Sequence, residues 1–376
     1  MKTERVVITC AVIFAVFLLL AAVGGFLAFR YFMGRFMPPF ASLATPSVVT
    51  GADVLSKRVW VEESWLGSVT DIEEGEFDPS PEREIGIAGS GGAVFVDRNG
   101  HTKASVAFPD SVERVDLVDV EGDGICEFLN RGGLGWLDPS LMDHEGATVW
   151  VYDSAMGVAD MAAGDLDGDG TLEFVAGLDE PGGLCLLDEG SREQWQRDGD
   201  AQQVAVVDTD GDGTLEIVHG TAAGNITIRD KQGAVVGRVN PGPDVSDFSL
   251  CRWPGKTDRE YLLLADDDTI RVFDYGGKAL AELDAPDCSV LGRARGTPAK
   301  LRSDEPEYLA VAVEYEMWQR AVLYVYDSTG KLAYQEVLPD PCASIAAIPL
   351  DGSGRDTLLV GGMGRVWAYE AQDGGG

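Results

Sequence analysis

The stretches MAAGDLDGDGTLEFVAG, Met161 to Gly177, and VAVVDTDGDGTLEIVHG, Val204 to Gly220, are two copies of one unit. A looser copy, VDLVDVEGDGICEFLN, starts at Val115. In each, an apolar run enters a short acidic loop carrying glycine, and a second apolar run leaves it. Their first acidic positions, Asp119, Asp165 and Asp208, stand 46 and 43 residues apart. Self-similarity at a period of about 20–50 residues marks solenoids, propellers and arrays.

The unit divides further. Val204-Ala205-Val206-Val207 enters the loop, Glu216-Ile217-Val218 leaves it, and Asn225 to Ile228 and Ala234 to Val239 follow after glycine-containing turns. These short apolar and β-branched runs predict four strands. Four strands at this period make a propeller blade, where each sheet packs on its neighbours and radial closure protects the edges. Weaker copies begin at Arg83, Glu260, Glu307 and Asp356, which brings the count to seven. The last copy stops after its third strand at Ala371, while a spare strand, LSKRVWVEESWL, lies ahead of the first at Leu55 to Leu66. The expected fold is therefore an all-β propeller of seven four-stranded blades over residues 55–371, closed by that spare strand. Six or eight blades stay open, because an insertion around Gly132 to Gly146 and a long sixth unit blur the boundaries.

The loops carry the chemistry. Asp165, Asp167, Asp169 and Glu173 fall at positions one, three, five and nine, Gly170 at six permits a sharp turn, and Thr171 at seven offers its carbonyl. Several anionic oxygens in a tight curve are what calcium takes, whereas magnesium keeps its waters and seldom accepts an all-protein cage. Asp208, Asp210, Asp212, Thr214 and Glu216 repeat the set, as do Asp119, Glu121, Asp123, Ile125 and Glu127. About three calcium sites are expected. A single Asp-Gly pair is also the usual hairpin turn, but three copies at one ligand spacing favour the metal reading. In the fifth unit Arg252, Pro254 and Lys256 fall on ligand positions ahead of Glu260, so fixed cations are expected beside that glutamate. Pro349, Asp351, Ser353 and Thr357 of the last unit leave too few anions.

These loops resemble the calcium loops of FG-GAP and VCBS repeats, the family that includes the integrin α-chain propeller. The resemblance implies that each loop joins the first two strands of a blade and that all of them lie on one rim. The strands VFVDRNGH, IRVFDYGGK and LYVYDSTGK also look like those of quinone-type propellers and their non-enzymatic scaffold relatives.

The charge and the amino terminus bound the setting. With 63 acidic against 29 basic residues the net charge is −34, which repels phosphate backbones and argues against nucleic acid as a partner. Val6 to Phe29 is uncharged and long enough to cross a hydrocarbon core about 30 Å thick. It exceeds the roughly 7–15 apolar residues of a secretory signal and lacks a small-x-small cleavage site. The expected organisation is a tail at 1–5, a transmembrane signal-anchor helix at 6–33, a linker at 34–54, the propeller, and a tail at 372–376. Basic residues flank both ends of the helix, so calcium availability is what places the propeller outside the cytoplasm, in the periplasm or at the cell surface if the protein is bacterial. Cys288 and Cys342 occupy equivalent places in consecutive repeats and are expected as buried free thiols, with a bridge as the alternative.

No catalytic constellation accompanies these loops. The histidines, His101, His144 and His219, stand in no metal-ligand or triad pattern, and there is no phosphate-binding glycine loop. His219 reads as a packed or surface residue, and most tryptophans as packing between blades. The expected function is a non-enzymatic binding, adhesion or scaffolding module for a protein or glycan ligand. The alternative is a propeller enzyme, either a polysaccharide lyase or hydrolase or a quinone-linked dehydrogenase.

Overall fold

Short strands that are apolar on both faces can leave water only if their sheets stack on one another. A computed structural model of the chain shows that outcome and describes residues 45–75, 83–110, 112–132, 138–221, 224–242, 247–290, 292–315 and 318–372. Seven antiparallel sheets follow one another along these residues. Blade 1 comprises Val69–Gly75, Glu84–Gly89, Gly92–Val96 and Thr102–Ala107; blade 2, Val115–Val118, Glu127–Asn130, Ser140–Met142 and Thr148–Val151. Blade 3 comprises Val158–Gly164, Glu173–Leu178, Gly183–Leu187 and Glu193–Arg197; blade 4, Gln203–Val207, Glu216–Gly220, Ile226–Arg229 and Val235–Val239. Blade 5 comprises Ser249–Trp253, Lys256–Asp266, Thr269–Phe273 and Ala279–Asp284; blade 6, Arg293–Ala299, Tyr308–Tyr315, Arg320–Tyr326 and Leu332–Leu338.

Blade 7 is closed by the spare strand. Ile345–Ile348, Thr357–Gly361 and Arg365–Ala371 supply three strands, and Leu55–Glu62 pairs antiparallel with the last, from Leu55 opposite Ala371 to Glu62 opposite Arg365. The two ends of the propeller sequence thus share one sheet, which shuts the ring.

The expected linker at 34–54 needs correction at its end. Ser47–Thr50 adds a fifth strand to the outer edge of blade 6, with Ser47 opposite Val337. Val48, Val49 and Thr50 are β-branched and extend readily against an open edge. Gly51, at φ 71°, then lets the chain pass so close that a Cβ there would lie 2.2 Å from the Ala333 carbonyl oxygen. The anchor helix placed at 6–33 lies outside the described residues. Among the described residues no helix is long and apolar enough to cross a membrane.

The core lies between blades. One buried cluster joins Phe174, Ala176 and Cys185 of blade 3 to Leu129 and Leu141 of blade 2; another joins Val218 and Ile228 of blade 4 to Leu262 and Leu264 of blade 5. Trp60, Val61, Leu359 and Val366 of blade 7 pack on Val69, Ile85 and Ile87 of blade 1. Tryptophans serve this packing as expected. Trp150 meets Phe174 edge-on with ring centroids 4.9 Å apart, and its indole N–H donates to the Glu189 carbonyl of the next blade. Trp195 repeats the move one blade on, donating to the Lys231 carbonyl.

Two further devices fix the ring. An innermost strand has one edge without a strand partner, so its polar backbone groups need other hydrogen bonds. Thr70 Oγ1 donates to the Val115 carbonyl and accepts from the Val115 N–H, while Asp71 Oδ2 accepts from the Leu117 N–H. Asp160 Oδ2 accepts from Val204 N–H, and Gln203 holds both backbone groups of Phe248. At the hairpins joining third and fourth strands, Asp97, Asp143, Asp188, Asp230, Asp274 and Asp327 each use Oδ1 to accept from the N–H groups two and four residues on. Blade 7 has no such hairpin because its fourth strand comes from the other end of the sequence. Cys288 and Cys342 are free and buried, with burial pushing both thiols up to about 12.

Candidate functional site

The three acidic loops join the first and second strands of blades 2, 3 and 4, so propeller symmetry sets them on one rim. They share a hydrogen-bond skeleton. In blade 3, Asp165 Oδ1 accepts from Gly168 N–H at 2.7 Å and Asp169 N–H at 3.1 Å, and Oδ2 accepts from Gly170 N–H at 3.0 Å. Glu173 Oε2 reaches back to the Leu166 N–H at 2.9 Å and closes the loop. In blade 4, Asp208 receives Gly211 and Gly213 N–H, and Glu216 receives the Thr209 N–H and hydroxyl. In blade 2, Asp119 receives Asp123 and Gly124 N–H, and Glu127 receives Val120 N–H. Position five points its Oδ1 at the N–H of position seven in all three: Asp123 to Ile125, Asp169 to Thr171 and Asp212 to Thr214. Both glycines of each loop have positive φ, between 72° and 94°.

The carboxylates converge to different degrees. Oxygens of Asp165, Asp167 and Glu173 lie within 4.8 Å of one another, and so do those of Asp208, Asp210 and Asp212. Among the described residues the set Asp119, Glu121, Asp123 and Glu127 has the skeleton but not this convergence. Burial pushes Glu173 and Glu127 above the usual carboxylate range, against the backbone N–H each receives, and the neighbouring loop carboxylates add to the rise. Asp208 loses a little solvent, yet the N–H groups of Gly213, Gly211, Asp210 and Asp212 hold it below that range. Clustered anions of this kind repel one another, and a divalent cation would offset the repulsion.

Loops of adjacent blades are joined. Leu172 N–H donates to the Val120 carbonyl, and the Leu172 side chain packs with buried Val120 across blades 2 and 3. Leu215 packs with buried Leu166 across blades 3 and 4. Arg259 of blade 5 donates to the Thr209 carbonyl in the loop of blade 4.

Blade 5 departs from the sequence expectation. No loop forms there: Trp253 pairs with Lys256 in a tight hairpin. Arg252 does stand opposite Glu260 and offsets part of the rise that burial imposes on that carboxyl. Lys256 instead sits over the Tyr261 ring, 5.5 Å from its centroid. Aligning on the glutamate alone did not reveal that the intervening residues had become strand.

His219 is packed, as expected. It is 5% exposed, and its Nε2 accepts from Arg229 Nε at 3.1 Å. Burial, and then the Arg229 charge, hold the imidazole down at about 4. Its folded value is thus below its unfolded one, so its contribution to stability is complete above about pH 6.5 and is lost as pH falls towards 4. We predict that wild type loses on the order of 3 kcal/mol more than His219→Gln over that interval. Denaturant melts of both proteins at a series of pH values check this; parallel curves would refute it.

One feature escaped sequence reading. Arg114, Arg131, Arg293 and Arg295 converge at the central channel from the inner parts of blades 2 and 6. Arg131 forks onto Asp160 at 3.0 and 2.9 Å and meets Asp116 at 3.0 Å. Their wide separation in sequence hid them.

No family model matches the sequence, and no curated protein matches it. Solved structures do match. BBS1N, crystallised in complex with ARL6DN and soaked with mercury, aligns with TM-score 0.57 at 10% identity, over 89% of this chain and 98% of that one. The WD40 domain of Neurospora crassa Pan2 aligns with TM-score 0.52 at 11% identity, over 85% and 96%. Likeness at such identities defines a class, the β-propellers. The resemblance to FG-GAP and VCBS repeats rests on the loop residues themselves.

Proposed function

We propose that the protein is a calcium-stiffened binding propeller, held at a membrane by the Val6 to Phe29 run, that presents a rim to a protein partner outside the cytoplasm. The observation that carries this reading is the repeated loop skeleton, with neighbouring loops joined across blades 2 to 4 and the last of them held by Arg259 of blade 5. A cation in each loop would turn a set of repelling carboxylates into a rigid clip between strands. Calcium at millimolar concentration suits exposed loops of this kind, which favours the extracytoplasmic side. BBS1N, of the same fold, was crystallised with a protein bound, and a rigid rim suits such recognition. Function does not follow from fold among propellers, so the test is direct.

Membranes carrying the full chain are cross-linked in calcium and in chelator, and the attached proteins are identified by mass spectrometry. A discrete partner, present in calcium and released by chelation, is the expected result. Turnover of a polysaccharide, or a bound quinone, that disappears in a channel variant such as Asp116→Asn would replace this reading with an enzymatic one.

A further inference from the structure

The channel arginines mark a second site, at the mouth opposite the acidic loops. Arg114 precedes the first strand of blade 2, Arg131 follows its second, and Arg293 and Arg295 open the first strand of blade 6. All four therefore stand at the end of the ring where first strands begin, while the acidic loops stand where those strands finish. They line a cavity of about 250 Å³ together with the carboxylates of Glu113, Asp116 and Glu314. Asp160 and Asp247 add two carboxylates behind this lining, so the cluster carries no net positive charge, and what distinguishes it is how unevenly its arginines are matched.

The four are not equally matched. Arg131 is saturated by Asp160 and Asp116, and Arg293 lies 3.0 Å from Asp247. Arg114 reaches Asp160 only at 3.7 Å, and its Nε is buried without a hydrogen-bond partner. Arg295 donates to the carbonyl of its neighbour Ala294 and pairs with no carboxylate among the described residues. A guanidinium stays charged when it loses water, so a poorly matched one is costly unless an anion meets it. Loss of solvent, with Arg114 and Arg131 nearby, holds Arg295 below its ordinary value against the opposing pull of Asp247 and Glu314.

We propose that this mouth of the channel binds a small oxyanion, a carboxylate or a sulfate-like group, between Arg114 and Arg295. The planar fork of each guanidinium fits two oxygens of such a group. The cavity lies below the roughly 300–1,000 Å³ of drug-sized pockets, so the ligand is small. Arg131 and Arg293 are engaged by Asp116 and Asp247, which leaves Arg114 and Arg295 as the less closely matched pair to face the ligand.

The test titrates the full chain with succinate and with sodium sulfate by calorimetry, at fixed calcium and at an ionic strength held constant with chloride. Saturable, submillimolar binding of at least one of them is expected, and the one that binds names the class. Arg114→Gln and Arg295→Gln should each weaken it roughly tenfold or more, while Arg58→Gln, on the outer strand of blade 7, should leave it unchanged. Arg295→Lys, which keeps the charge but loses the fork, serves if the glutamine variants do not fold, and it too should bind more weakly. Without ligand, Arg295→Gln should melt no lower than wild type, because it removes an unmatched charge. Absence of saturable binding by both anions, or binding that the Arg114 and Arg295 variants leave intact, would overturn the proposal.

Discussion

A chain shortened to begin at Ser64 is expected to lose cooperative folding, whereas one that begins at Gly51 is expected to melt close to wild type. The two differ by the strand Leu55–Glu62, which completes blade 7 against Arg365–Ala371. Leu55, Trp60 and Val61 are 4%, 7% and 4% exposed and belong to the clusters that join blade 7 to blades 6 and 1. Burying side chains of this size contributes about 1.5–3 kcal/mol each. Their sum is comparable with the roughly 5–15 kcal/mol that stabilises a whole domain. Losing the strand would also bare the edge of Arg365–Ala371, a template for pairing between chains. The fifth strand of blade 6, by contrast, is exposed at all four residues, and little apolar surface depends on it. Thermal melts and size-exclusion chromatography decide the matter. A monomer beginning at Ser64 with an unchanged melting temperature would show that closure is not what holds the ring.

How much of this was legible in sequence follows from where each interaction lies along the chain. The four-strand parse from Val204 to Val239 matches blade 4 because alternation and Asp-Gly turns act within a few residues. Closure by Leu55 to Leu66 was legible because a blade with three strands at one end and a surplus strand at the other have a single simple solution. The hairpin aspartates were visible in DRNG, DYGG and DSTG, but their shared role at positions two and four needed coordinates. The strand at Ser47–Thr50 was missed because its partner edge, Leu332–Leu338, is nearly three hundred residues away. Arg114 and Arg295 meet only because the ring brings blades 2 and 6 to one channel, and no local pattern records that.

Removing calcium is expected to lower the melting temperature, and the sign of a single substitution can establish why. A ligand present at about one hundred times its dissociation constant adds roughly 2.7 kcal/mol per site. In a domain of this size that amounts to about 5 °C for each saturated loop, and about 15 °C if all three fill. Asp210 and Asp167 are the informative positions. Each is exposed, and in each Oδ1 accepts a single backbone N–H, from Asp212 and Asp169 respectively. An asparagine keeps that oxygen and removes the charge. In chelator, Asp210→Asn should therefore melt at or slightly above wild type, since one repelling carboxylate has gone from beside Asp208 and Asp212. In excess calcium the order should reverse, with the variant lower by about the contribution of one site. A loss of equal size in both conditions would assign Asp210 to the turn alone. Melting that ignores calcium in wild type would remove the metal from these loops, leaving their skeleton of backbone N–H groups as the whole of their function.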